Sequence, residues 1–215
     1  MSNVANFWKS QWDEVTDTTE LNSINELSTD MSWPPEWWTE GWDKWDRLND
    51  KEKEIILWDP QWYKVFDVEK NADIAMQQTV SEYGFQGKGD KSDAFRHAIW
   101  QALNVQSVGE NFTRKWSDAH EYSTPPNEVR TDLYMDVHNN DVGIEIGKNN
   151  SSATLAQLVT IIKDQIALGK LIIIINDTLK KSDGASITKS EIRRYNTSYA
   201  IAKSIVKNGN PNSKY

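Results

Sequence analysis

The chain contains no cysteine. That excludes disulfide frameworks, thiolate metal sites and cysteine nucleophiles, so a metal here would have to be held by nitrogen and oxygen. Apolar residues are also scarce, at 38% with a mean hydropathy of -0.71. A polar extension beside a core of normal size accounts for both values. No apolar run approaches the roughly 20 residues that a membrane-spanning helix needs; the longest is Leu171 to Ile175. The chain is therefore not expected to be transmembrane. Its first residues, Met1 to Lys9, lack the basic-then-apolar layout of a signal peptide. As written it is expected in the cytoplasm, with export by a dedicated system or a trimmed leader left open.

Basic charge is missing where acidic charge collects. Residues 1–60 hold five Lys and Arg against fourteen Asp and Glu, residues 61–169 ten against fifteen, and residues 170–215 nine against three. An acidic front half repels phosphates, so no nucleic-acid partner is expected. The basic tail reads as a solvated helix.

Tryptophan is what the chain has in excess. Nine of eleven lie before residue 63, and Trp38, Trp42 and Trp45 share a helical spacing after Pro34-Pro35. This Trp-rich, acidic stretch suits packing onto the main domain, or docking of a protein partner. Composition divides the chain into three parts: an N-terminal extension over 1–47, a helical domain over 48–182, and a basic helix and tail over 183–215.

Helix signals succeed one another through the middle part. Asn49-Asp50 opens one helix, and Asp59-Pro60 interrupts it. A second period runs from Gln61 to Tyr83-Gly84, before a loop marked by Gly84, Gly87 and Gly89. Asp90 caps a helix to Val108-Gly109, Glu110 to Glu121 forms the next, and another starts near Asn127 and runs through Ile146. Ser151-Ser152 is expected to cap a helix from Ala153 to Leu168, stopped by Gly169. Leu171 to Ile175 is β-branched and reads as a single short strand. Ile187 to Val206 completes the series. The fold class expected is all-α, a multi-helix bundle with at most one short β element near 171–178.

The three histidines all fall between residues 97 and 138. Three successive helices there offer imidazole or carboxyl groups, and short connections would pack those helices as neighbours. His97 follows Asp93 by one turn, Asp93 itself reading as the third residue of a capping box begun by Asp90. His120 and Glu121 are adjacent at a helix end. Asp132, Asp136 and Asn140 make a polar stripe at i, i+4, i+8 on the third helix, and His138 is offset from it. His97, His120, Glu121 and Asp136 are therefore the catalytic candidates. Arg96, Trp100, Trp116, Asn139 and Asn140 are candidates for holding a substrate. His97, His120 and Asp136 form a candidate ligand set for a divalent ion, zinc first.

The runs Asp93-Ala-Phe-Arg-His-Ala-Ile-Trp, Ala119-His-Glu and Met135-Asp-Val-His-Asn-Asn-Asp-Val-Gly carry a resemblance. Over roughly residues 48–182 the chain resembles an uncharacterised bacterial family of all-helical domains with these three motifs in this order. The resemblance implies a helical domain of the kind met in exported or multidomain proteins, and no settled activity. From the residues themselves two functions are expected. One is a hydrolase-like centre, with or without metal, acting on an ester, phosphoester or glycan. The other is a binding or interaction module, of the toxin-associated kind among others, whose polar cluster is a structural hydrogen-bond network.

Overall fold

A computed structural model of the chain describes residues 47–121 and 131–187. The chain divides into two units at Arg47, and the helices and hairpin below belong to the second, Leu48–Tyr215. The expected helix after Pro34-Pro35, the start near Asn127 and the helix from Ile187 to Val206 lie outside the described residues, apart from Ile187 itself.

Six helices and one hairpin make up the described part: α1 (Asp50–Trp58), α2 (Val65–Tyr83), α3 (Lys91–Val108), α4 (Glu110–Glu121), α5 (Thr131–Asn149), α6 (Leu155–Ala167), β1 (Ile172–Ile175) and β2 (Thr178–Lys181). The architecture is the all-α bundle expected from the sequence. Among the described residues no helix is long and apolar enough to cross a membrane.

Local chemistry sets the boundaries. Asn49 closes a capping box on α1: its side chain accepts from Lys51 N and Glu52 N, and Glu52 Oε2 accepts from Asn49 N at 2.8 Å. The helix stops one residue before Asp59-Pro60, and a 3-10 turn over Trp62–Lys64 leads into α2. α2 ends on Gly84 at φ +76°, the left-handed conformation that glycine adopts freely. Thr154, not Ser151-Ser152, caps α6, because Gln157 sits at the third helical position and answers with the reciprocal bond.

The single strand expected at Leu171 to Ile175 is one arm of a hairpin. β1 pairs antiparallel with β2 in register Ile172↔Lys181 to Ile175↔Thr178. Asn176 and Asp177 form the turn with φ of 51° and 56°. A two-residue hairpin turn of this kind needs positive φ at both positions, and these two residue types tolerate it best.

α3 is the central element, packed against α2, α4, α5, α6 and β1. Phe95, Ala98, Ile99 and Ala102 are wholly buried. Its tightest partner is α5, where Gly143 and Gly147 stand one turn apart. A Cβ on Gly143 would meet the Ala98 carbonyl oxygen, and one on Gly147 would lie 2.6 Å from the Ala102 oxygen. The two main chains therefore touch. This crossing brings His97, beside Ala98, to within reach of Asn140, one turn before Gly143. Gly143→Ala is expected to separate the helices and cost about 1–3 kcal/mol. Thermal unfolding checks this: an unchanged midpoint would mean that the crossing yields.

Candidate functional site

The side chains of α3, α4 and α5 converge on His97, whose side chain is 6% exposed. Its Nδ1 lies 3.0 Å from Asn140 Oδ1, and Asn140 Nδ2 donates to Glu121 Oε1 at 2.8 Å. An ionised carboxylate only accepts, so Glu121 takes the NH2 end of the amide and turns the oxygen toward the ring. His97 Nδ1 must then carry the proton, which leaves Nε2 with a lone pair when the ring is neutral.

That lone pair faces acids. Asp136 Oδ1 is 3.3 Å and Asp93 Oδ1 3.7 Å from Nε2, while Glu121 Oε1 is 4.0 Å from Nδ1. Arg96 Nη2 stands 3.4 Å from Nε2 and ion-pairs with Asp93 Oδ1. Asp136 Oδ1 is buried and has no donor among the described residues. Two acceptors at 3.3 Å repel unless a proton lies between them. Burial disfavours charge on both groups. It holds the His97 pKa below its usual 6.5, against Glu121 and together with Arg96. It also raises Asp136 well above 3.8, helped by Glu121 and Asp93. Burial thus favours the neutral form of each group.

Behind the ring a chain of amides runs into the core. Asn140 Oδ1 also accepts from Gln101 Nε2 at 3.4 Å, Gln101 Oε1 from Asn104 Nδ2 at 3.4 Å, and Asn104 Oδ1 from Asn71 Nδ2 at 3.0 Å. All four are buried. Asp93, His97, Gln101 and Asn104 recur at helical spacing on α3, a buried polar stripe beside the apolar Phe95, Ala98, Ile99 and Ala102. That stripe was the signal for Gln101 and Asn104, which motif reading missed. Asp93 does not close the expected capping box: its Oδ2 accepts from Gly89 N at 2.7 Å, one residue ahead of the cap, and its Oδ1 serves the cluster.

The remaining candidates lie elsewhere in the domain. His120 Nδ1 bonds Glu52 Oε1 of α1 at 2.7 Å, and its ring meets Trp100 edge-on at 5.1 Å. Trp100 and Trp116 are buried in the apolar core, Trp100 donating to Val68 O at 2.9 Å. Asn139 grips the hairpin, bonding both N and O of Ile172 at 2.9 Å, and His138 Nε2 contacts Lys170 O at 2.9 Å. Among the described residues, the atoms that a cation could share within 4.8 Å of one another come from Asp93, His97 and Asp136. Asp93 therefore stands in that group where the sequence suggested His120.

The profile of the family described as Domain of unknown function (DUF6973) matches residues 55–170. The chain belongs to that family. The match covers α2 to α6 and every residue of the His97 cluster, in line with the resemblance carried by the motifs. Neither the curated proteins nor the solved structures contain a match to the chain.

The Glu52–His120 pair ties the start of α1 to α4, along with Asn49 Nδ2 donating to Ala119 O at 2.7 Å. Packing around the His120 ring opposes its proton, but the Glu52 hydrogen bond and the charges of Glu121 and Glu52 outweigh this and raise the pKa. A raised histidine pKa stabilises the fold fully below 6.5, and the contribution disappears as pH rises through the folded value. Amide exchange in α1 is therefore expected to quicken above neutrality more than in α3. Equal pH responses of the two helices would contradict the tie, as would no change in α1 on His120→Gln.

Proposed function

We propose that the DUF6973 domain is hydrolase-like, with His97 as general base and Asp136 as general acid acting on an ester, phosphoester or glycan. The observation that supports this most is the pair of facing acceptors, His97 Nε2 and Asp136 Oδ1 at 3.3 Å, with the imidazole tautomer fixed from behind by Asn140. A buried setting that favours an unprotonated base beside a protonated acid is what hydrolysis of a C–O or P–O bond requires. Water gives a proton to His97 Nε2 as it attacks. Asp136 gives its proton to the leaving oxygen. The imidazolium then returns the first proton across the 3.3 Å contact, and both groups are reset. Entry is from the edge where Asp136 and Arg96 reach solvent, their side chains 19% and 27% exposed.

A second reading has its own support. Asp93, His97 and Asp136 offer one nitrogen and two oxygens for a divalent ion such as zinc. His97 would donate its other N–H to an amide oxygen, a usual arrangement behind a metal-bound histidine. Arg96 already supplies positive charge to that spot and would have to leave Asp93, which weighs toward the metal-free pair.

Activity is expected to rise as His97 loses its proton, on a limb below pH 6.5, and to fall as Asp136 loses its own. Asp136→Asn should remove the falling limb and lower kcat about 10²–10⁴-fold. Chelator should change neither limb; loss of activity on dialysis against EDTA, restored by zinc, would transfer the site to the metal reading. His97→Ala separates both from a purely structural network. A folded variant without turnover supports the catalytic reading, whereas a variant that unfolds, together with a wild type inert on all three substrate classes, sinks it.

A further inference from the structure

Resting on the hydrolytic reading, we infer that the substrate is a neutral carboxylic ester and that Arg96 Nε–H is the donor to its carbonyl oxygen. The guanidinium is divided between two tasks. Its Nη2 is fixed by Asp93, whereas its Nε is buried without an acceptor among the described residues. A buried unpaired donor is destabilising, and that penalty is relieved when a ligand oxygen arrives. Asp136 Oδ1 is likewise buried without a partner among the described residues, and both residues flank His97 Nε2 with side chains that are partly exposed. Such a site accepts a molecule with an oxygen to receive a hydrogen bond and a leaving oxygen to be protonated.

Charge and shape select among the three classes. Asp136 feels Glu121, Asp93 and Asp132, against Arg96. The nearby Lys88 is already paired with Asp132 at 2.8 Å. A phosphodiester would add a negative charge where carboxylates already outnumber cations, whereas a neutral ester adds none until it reacts. Sugars are commonly bound on exposed aromatic faces, yet Trp100 and Trp116 are both turned into the core.

The ester also explains why a fixed cation is useful here. Attack of water on the carbonyl carbon forms a C–O bond and moves an electron pair onto the carbonyl oxygen, as the water proton passes to His97 Nε2. Arg96 Nε–H donates to the resulting oxyanion. The pair then returns, the ester C–O bond breaks, and the alkoxide takes the proton from Asp136.

The test uses the full chain with p-nitrophenyl butyrate, bis(p-nitrophenyl) phosphate and p-nitrophenyl glucoside, and two variants, Arg96→Lys and His97→Ala. Arg96→Lys keeps the charge and discards the Nε–H. Only the butyrate is expected to be cleaved. Arg96→Lys should lower kcat about 10²–10³-fold, as for a lost oxyanion donor, with KM near that of the wild type, and His97→Ala should abolish turnover. Butylboronic acid, which takes up hydroxide to become a tetrahedral anion, gives a second readout. It should raise the melting midpoint of the wild type and not of Arg96→Lys. His97-dependent cleavage of the phosphodiester or glucoside alone overturns the ester and spares the hydrolytic reading. Boronate protection without any turnover overturns the hydrolytic reading and the ester with it, leaving Arg96 Nε only as a donor to a bound anion. An Arg96→Lys variant with wild-type kcat overturns the role of Nε.

Discussion

The side-chain amide of Asn140 decides what His97 can do. It is held at one end by a carboxylate from α4 and presents its oxygen to an imidazole from α3, so three helices meet in a single planar group. If that amide were reversed, its NH2 would face His97 Nδ1, the ring proton would move to Nε2, and the lone pair facing Asp136 would be gone. The amide chain from Asn71 to Asn140 braces this orientation, since each group's second bonding site is occupied by the next. A buried polar series of this kind is favourable only when every member is satisfied. Among the described residues the cluster's buried atoms without a partner are Asp136 Oδ1 and Arg96 Nε, on its two partly exposed side chains.

Helix order, most helix ends and the class of the fold were legible because capping residues and glycines act locally. Asn49, Asp90 and Gly84 each work through bonds to residues within a few positions. The α6 start was misplaced since Ser151-Ser152 and Thr154 are equally good caps by type, and only the reciprocal bond from Gln157 separates them. The second strand was missed because Thr178 to Lys181 is polar and takes its conformation from β1 across the Asn176-Asp177 turn.

The His97, Glu121, Asp136 and Asn140 neighbourhood was readable from spacing, because short connections leave successive helices few places to go. His120 and the two tryptophans were not. Their positions depend on how far each helix is rotated about its axis, and adjacent residues such as His120 and Glu121 diverge by about 100°. Rotation of α4 sends Glu121 inward to Asn140 and His120 outward to Glu52. Glu52 lies within the stretch of resemblance, but nothing in its spacing from His120, 68 positions away, indicates that the two meet.

The contact of main chains at Gly143 and Gly147 fixes more than a distance. Side chains at a helix interface can hop between rotamers, so a gap set by leucines or isoleucines breathes on short timescales. Peptide planes have no such freedom. Where α3 meets α5 at these glycines, the closest approach is set by covalent geometry, so the helices that carry His97, Asp136 and Asn140 keep their spacing while the aliphatic residues around them change rotamer.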